Sequence, residues 1–341
     1  MIIQTPPTVK LFCCDLNWTK FDTPVAANPA ATAADWSQVD AQEYFDWHVD
    51  FGNNLMFMQA YLFGGTALYP SKLGPIAPGA GAELLPRLFA LSRAARMPFM
   101  SYFCVGTDLT VAAHRPHWVA PSGGQETHGL FLAPESPWTE LLRARIAEFL
   151  ADYPVEWLLF DWFVYGGLKP NEFQVQPAWF AREPFREIIG RPMPESADDI
   201  TPAENLQYKR EILARQFHAI QRTVRAVSPN TNVMFNVPYW QPEESIWVDH
   251  PMMNESDCLF AECSREDVVD WLLRVRRPQQ RVMTTIIGRP DGECEPDSWR
   301  RWHAKGLDFF GYAWGTPPDF RPHASYRDDV EIVRNAFHSI E

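Results

Sequence analysis

Short apolar runs alternate with longer amphipathic stretches along the whole chain. The runs fall at 9–14, 55–62, 98–105, 155–164, 232–237, 258–261, 281–287 and 307–313. Near-continuous apolar runs of this length are what strands covered on both faces look like. Helical periodicity occupies 41–51, 83–96, a stretch opened by Ser136 and Pro137, 203–226, 264–275 and 328–340. Pro137 stands at a first-turn position, and Ser228-Pro229-Asn230 ends the long helix before it. Eight strand candidates, each followed by a helical segment or a long loop, imply parallel pairing through right-handed crossovers. The expected fold is therefore α/β, a single (β/α)8 TIM barrel over residues 1–341, with long loops after strands 2, 3 and 4. The competing doubly wound sheet would carry a glycine-rich turn after its first strand. Here that strand runs into Cys13-Cys14-Asp15-Leu16-Asn17-Trp18, which has no glycine.

Composition narrows the partner. The formal net charge is -13, against both nucleic acid and an anionic membrane surface. Aromatics are abundant, with 14 Trp, 23 Phe and 10 Tyr, while the Arg pairs at 276–277 and 300–301 stand isolated. A neutral carbohydrate is the partner this favours. The six cysteines lack CxxC spacing, so no metal is expected, and buried reduced thiols are. The first ten residues do not resemble a signal peptide and no apolar run approaches a membrane span, so a cytoplasmic protein is expected. The Trp-rich stretch 240–247 is compatible with a pocket wall or with a homo-oligomer interface.

In a barrel of this type the chemistry sits at the C-terminal strand ends. Those positions carry Asp15, Tyr61, Tyr102, Asp161, Asn236, Tyr239, Trp240, Glu262, Arg289, Glu293 and Trp314. Carboxylates end three strands and aromatics accompany them. Aromatic faces stack on sugar C–H faces, and paired carboxylates are what glycosidic cleavage requires. Asp161 follows Trp157-Leu158-Leu159-Phe160, where an ionised group is tolerable only at the strand end, facing a polar pocket. Glu262 follows Leu259-Phe260-Ala261 in the same way, although a carboxylate there also suits the start of a helix. His114 and His117, in His-Arg-Pro-His-Trp, can contact substrate hydroxyls or serve the surface. Phosphate loops and serine-nucleophile elbows have no counterpart in the sequence.

Three segments resemble a known group. They are 67–75 (Ala-Leu-Tyr-Pro-Ser-Lys-Leu-Gly-Pro), 115–118 with 131–138, and 153–161 (Tyr-Pro-Val-Glu-Trp-Leu-Leu-Phe-Asp). They are similar to uncharacterised glycosyl hydrolase barrels, themselves distantly similar to the family 29 α-L-fucosidases. The resemblance covers roughly the first half of the chain and implies that Asp161 is the nucleophile. The sequence departs from the fucosidases in placing Trp-Phe-Val-Tyr-Gly after that aspartate and no paired histidines after strand 2. A C-terminal β-sandwich is not expected.

The expectation is thus a glycoside hydrolase, exo-acting and retaining, that needs no cofactor. Asp161 is its nucleophile and Glu262 its acid/base, with Glu293 or Asp15 as a substitute partner. Trp314, Tyr239 and Trp240 would stack on sugar; Arg289, Asn236 and Tyr61 would bind hydroxyls. The alternatives are a non-catalytic sugar-binding barrel, an inverting sialidase-like enzyme using Asp15 and a loop histidine, and a lyase or isomerase.

Overall fold

A computed structural model describes residues 3–16, 39–77, 79, 81–120, 131–166, 174–236, 246–263, 265–286, 298–316, 321–322 and 327–340. Eight parallel strands form a nearly closed (β/α)8 barrel: β1 (Lys10–Asp15), β2 (Met56–Gln59), β3 (Phe99–Cys104), β4 (Trp157–Asp161), β5 (Asn232–Asn236), β6 (Cys258–Ala261), β7 (Arg281–Thr285) and β8 (Asp308–Thr316). Backbone ladders run β1-β8-β7-β6-β5-β4-β3-β2. A short β9 (Arg321–Pro322) hairpins onto the end of β8. The helices, in order, are α1 (Ala41–Phe51), α2 (Gly81–Ala94), α3 (Leu109–His114), α4 (Trp138–Asp152), α5 (Arg182–Ile189), α6 (Pro202–Val227), α7 (Pro251–Glu255), α8 (Glu266–Val275), α9 (Ser298–Ala304) and α10 (Arg327–Ser339). None of the described helices is long and apolar enough to cross a membrane.

The seam between β1 and β2 is closed largely by side chains. Asn53 accepts from the Phe12 N–H at 3.1 Å and donates to the Phe12 carbonyl at 3.2 Å. Asn54 accepts from the Lys10 N–H at 2.8 Å and donates to the Thr8 carbonyl at 2.8 Å. An amide side chain carries both a donor and an acceptor, so it can imitate the missing strand partner.

The period-2 alternation of the strands divides the core in two. Inside the barrel lie Leu11, Cys13, Phe57, Met100, Tyr102, Leu159, Met234, Phe260, Met283 and Phe310. Outside, against the helices, lie Phe12, Met58, Phe103, Phe160, Phe235 and Phe309. Each fully buried side chain of this size contributes about 1.5–3 kcal/mol by leaving water. The helices begin where local chemistry directs. α6 has Pro202 in its first turn and a capping box in which Thr201 and Glu204 satisfy each other's backbone N–H.

The predicted strands match the observed ones, with five of the apolar runs overshooting at their C-terminal ends while β1 and β8 continue past theirs. Tyr61 and Val164, for example, lie past β2 and β4. The helices α3, α5, α7 and α9 sit in segments the periodicity left as loops, because each is ten residues or fewer.

Candidate active site

Continuing the inward alternation by one step brings the polar residues of the strand ends into the mouth. After Cys13 comes Asp15, after Leu159 comes Asp161, after Met234 comes Asn236 and after Phe260 comes Glu262. β4 places Asp161 opposite Cys104 of β3 in register. Asp161 accepts from the Tyr102 hydroxyl at Oδ2, 3.1 Å, from Asn236 Nδ2 at Oδ1, 2.9 Å, and from the Trp162 N–H at Oδ1, 2.7 Å. Asn236 Nδ2 also donates to Glu262 Oε2 at 3.0 Å. One NH2 group therefore joins the two carboxylates. The two bonds bring the bound oxygens to within about 6 Å of each other. The amide orientation follows from chemistry: turned over, Asn236 would present its carbonyl to two acceptors.

The surroundings hold these groups in fixed states. Burial, and then the negative charge of Asp161, pushes the Tyr102 hydroxyl well above the ordinary tyrosine range, so it remains a donor. Burial pushes the Cys13 thiol up as well, reinforced by the charges of Asp15, Cys14, Glu262 and Asp161. The charges of the three carboxylates at the ends of β1, β4 and β6 thus act on one buried thiol, which keeps its proton.

The backbone beside Asp161 is specialised. Trp162 has φ 56°, a left-handed conformation rare for a bulky residue. Its carbonyl approaches Gly106 so closely that a Cβ there would lie 2.2 Å from the oxygen. Gly106 thus allows the chain to turn at Asp161. The Trp162 ring then packs edge-on against Phe63 at 5.4 Å and near Phe131 at 6.0 Å, forming a wall beside the carboxylate.

Tyr61 turns outward, away from the mouth. Its hydroxyl pairs with Ser71 Oγ at 2.5 Å and its ring lies under the Arg145 guanidinium at 4.3 Å. It serves the loop after β2, which Arg145 ties to the loop after β3 through a buried ion pair with Asp108 at 2.5 Å. His114 ends α3 exposed, with Nδ1 bonded to its own helix at Thr110 O, 2.7 Å. His117 is exposed in a 3-10 turn, between the rings of Trp118 and Trp179. The described residues hold no group of His, Cys, Asp and Glu suited to a metal. Trp314 pairs with Asp15 in the β8–β1 register, its side chain outside the described set. Tyr239, Trp240, Arg289 and Glu293 lie outside the described residues. A groove of about 670 Å³ on the flank formed by α5, α6 and α7 is lined by Gln207, Arg210 and His250 and by none of the candidate site residues.

Sequence reading passed over Tyr102 as a ligand of Asp161, although it lies two residues after Met100 on the inward face of β3. Parity along that strand was the signal that could have found it.

No protein-family model matches this chain, and no curated protein does. Solved structures do. The chain is similar to α-L-fucosidase isoenzyme 2 from Paenibacillus thiaminolyticus, with a TM-score of 0.71 at 14% identity, over 98% of this chain and 49% of that one. It is similar to the α-L-fucosidase GH29 from Bacteroides thetaiotaomicron, with a TM-score of 0.51 at 13% identity, over 91% of this chain and 61% of the other. The fucosidase AlfC gives a TM-score of 0.52 at 13% identity, over 91% of this chain and 82% of that one. The chain therefore spans about half the length of the Paenibacillus enzyme, and what these likenesses share with it is the barrel.

Proposed function

We propose that this protein is a retaining glycoside hydrolase in which Asp161 is the nucleophile and Glu262 the acid/base. The observation that carries the reading is the Asn236 amide bound to both carboxylates at 2.9 and 3.0 Å. Retaining glycosidases hold their two carboxyl groups about 5–5.5 Å apart, inverting ones about 6.5–9.5 Å. The fold, similar to that of solved α-L-fucosidases, fits the same chemistry.

The roles divide by charge. Two like charges about 6 Å apart repel by about 3 kcal/mol at an effective dielectric of about 20, which favours keeping one proton on the pair. Donors from Tyr102, Asn236 and the Trp162 N–H favour Asp161 as the anion, the form in which a nucleophile attacks, and the reading gives the proton to Glu262. Glu262 then protonates the leaving oxygen while Asp161 attacks the anomeric carbon. In the second step Glu262 takes a proton from water, and the water displaces Asp161 from the sugar. The walled mouth favours removal of a terminal sugar.

The test is a panel of 4-nitrophenyl glycosides, led by the α-L-fucoside, with the anomer of the first-formed product read by proton NMR. Turnover with retention, abolished in Asp161→Asn, is the expected result. First-formed product of inverted configuration would overturn retention, and activity surviving in Asp161→Asn would overturn the nucleophile.

A further inference from the structure

Among the described residues, one large aromatic side chain is markedly exposed: Trp179, at 59%. It lies in the loop between β4 and α5, on the side of the barrel where the strands end. Burying an indole is strongly favourable, so an exposed one on the site face marks a surface that something apolar and flat can cover. Its neighbour across the loops is His117, whose ring lies 6.5 Å away at 39°. Behind His117 stands Trp118, 6.1 Å away, with the Arg115 guanidinium over it at 5.8 Å.

These rings connect back to Asp161. Trp118 and Phe131 sit on one short antiparallel pair, held by the Val119–Leu132 bridge and by bonds from Ala133 N to Trp118 O and from Ala120 N to Phe131 O. Phe131 in turn meets Trp162, the residue after Asp161. Phe131 is buried between half-buried Trp162 and half-buried Trp118, and from Trp118 outward exposure rises to His117 and Trp179.

We infer that Trp179, with His117 at its edge, is a stacking platform for a sugar on the leaving-group side of the bond to be cleaved, so that the substrate is an oligosaccharide rather than a simple glycoside. This rests on the hydrolase reading above. The chemistry is specific in kind: an indole face takes the C–H face of a neutral hexose, and an acidic protein leaves no repulsion against it. A protein partner would need about 800 Å² of complementary surface on this side, far more than one indole and one imidazole supply.

The experiment compares two substrates with the same terminal sugar, a 4-nitrophenyl glycoside and a trisaccharide. The first pair is 4-nitrophenyl α-L-fucoside and 2′-fucosyllactose, replaced by the corresponding pair if the panel selects another sugar. In Trp179→Ala, kcat/KM on the trisaccharide is expected to fall about tenfold further than on the aryl glycoside, through KM, with Trp179→Phe recovering most of it. Equal losses on the two substrates, or none, would overturn the platform while leaving the hydrolase intact. Calorimetric titration of the same trisaccharide into Asp161→Asn protein, with and without Trp179→Ala, separates the two readings. If the wild-type protein cleaves neither substrate, binding weakened by Trp179→Ala keeps the platform and removes the hydrolase. Binding that the substitution does not weaken, or no binding at all, overturns the platform.

Discussion

The two ends of the barrel treat buried charge in opposite ways. At the N-terminal end, Arg281 of β7 grips Asp308 of β8 through two hydrogen bonds of 2.5 Å, and Asp308 also accepts from the Val9 N–H. Beside them Glu156 accepts from Arg93, from the Phe99 N–H and from the Ile3 N–H. Burial pushes the Asp308 carboxyl above its ordinary range even against the pull of Arg281. At the C-terminal end, Asp161 accepts from a phenol, a side-chain amide and a backbone N–H. A guanidinium neutralises a carboxylate. The donors from Tyr102, Asn236 and the Trp162 N–H are neutral, and they hold the carboxylate in place without cancelling its charge. The first arrangement is suited to closing the base of the barrel, the second to chemistry at its mouth.

The largest expected effect lies at the mouth. Asp161→Asn should lower kcat/KM about 10⁴-fold while the thermal midpoint moves little. A protein that unfolds instead would make Asp161 a structural residue like Asp308, and the contrast would collapse. Next comes the base. Asp308→Ala should cost about 3–5 kcal/mol in urea unfolding, because Arg281 is left buried without its partner, with kcat of the folded protein retained. Replacing both as Arg281→Met with Asp308→Leu should recover most of that stability. A double variant no better than the single one would show that the ion pair does more than satisfy itself.

Asn236→Ala should lower kcat about 10²-fold. It removes a hydrogen bond that favours each carboxylate's charged form, so the acidic limb of the pH–rate profile should move to higher pH. An unmoved limb would mean that the amide merely spaces the groups. The smallest effect at neutral pH concerns a buried group outside both ends. Burial lowers the pKa of His48, on α1, to about 4. The unfolded chain, at about 6.5, takes the proton first as pH falls, so stability is lost between about pH 6.5 and 4 and is level below that. His48→Phe should remove that slope, and urea midpoints at pH 7 and pH 4.5 would show it.

The barrel was legible because its strands are apolar on both faces, which marks them against any helix pattern. Asp161, Asn236 and Glu262 were legible as strand ends because each is the first polar inward residue after an apolar run, and for Asp161 and Glu262 burial cost argued for the same position. Tyr61 shows the limit. It follows β2 by two residues, where the strand has already ended and its alternation no longer applies, so Arg145 and Ser71 capture it. The amide bridge of Asn236 could not be read at all. It depends on how β4, β5 and β6 are staggered, and no spacing within one strand contains that information. The pairing of His117 with Trp179 joins two loops more than sixty residues apart and is invisible for the same reason.

The seam between β1 and β2 has a consequence of its own. A ladder of backbone bonds resists opening along its whole length, whereas Asn53 and Asn54 are two rivets with gaps between them. If the barrel breathes, it parts there, and amide exchange should report it first at the β1–β2 boundary. It is also the line at which a relinked chain could be given new termini, since what must re-form across it is a handful of side-chain contacts and the bond from the Asn54 N–H to the Lys10 carbonyl, in place of a sheet edge.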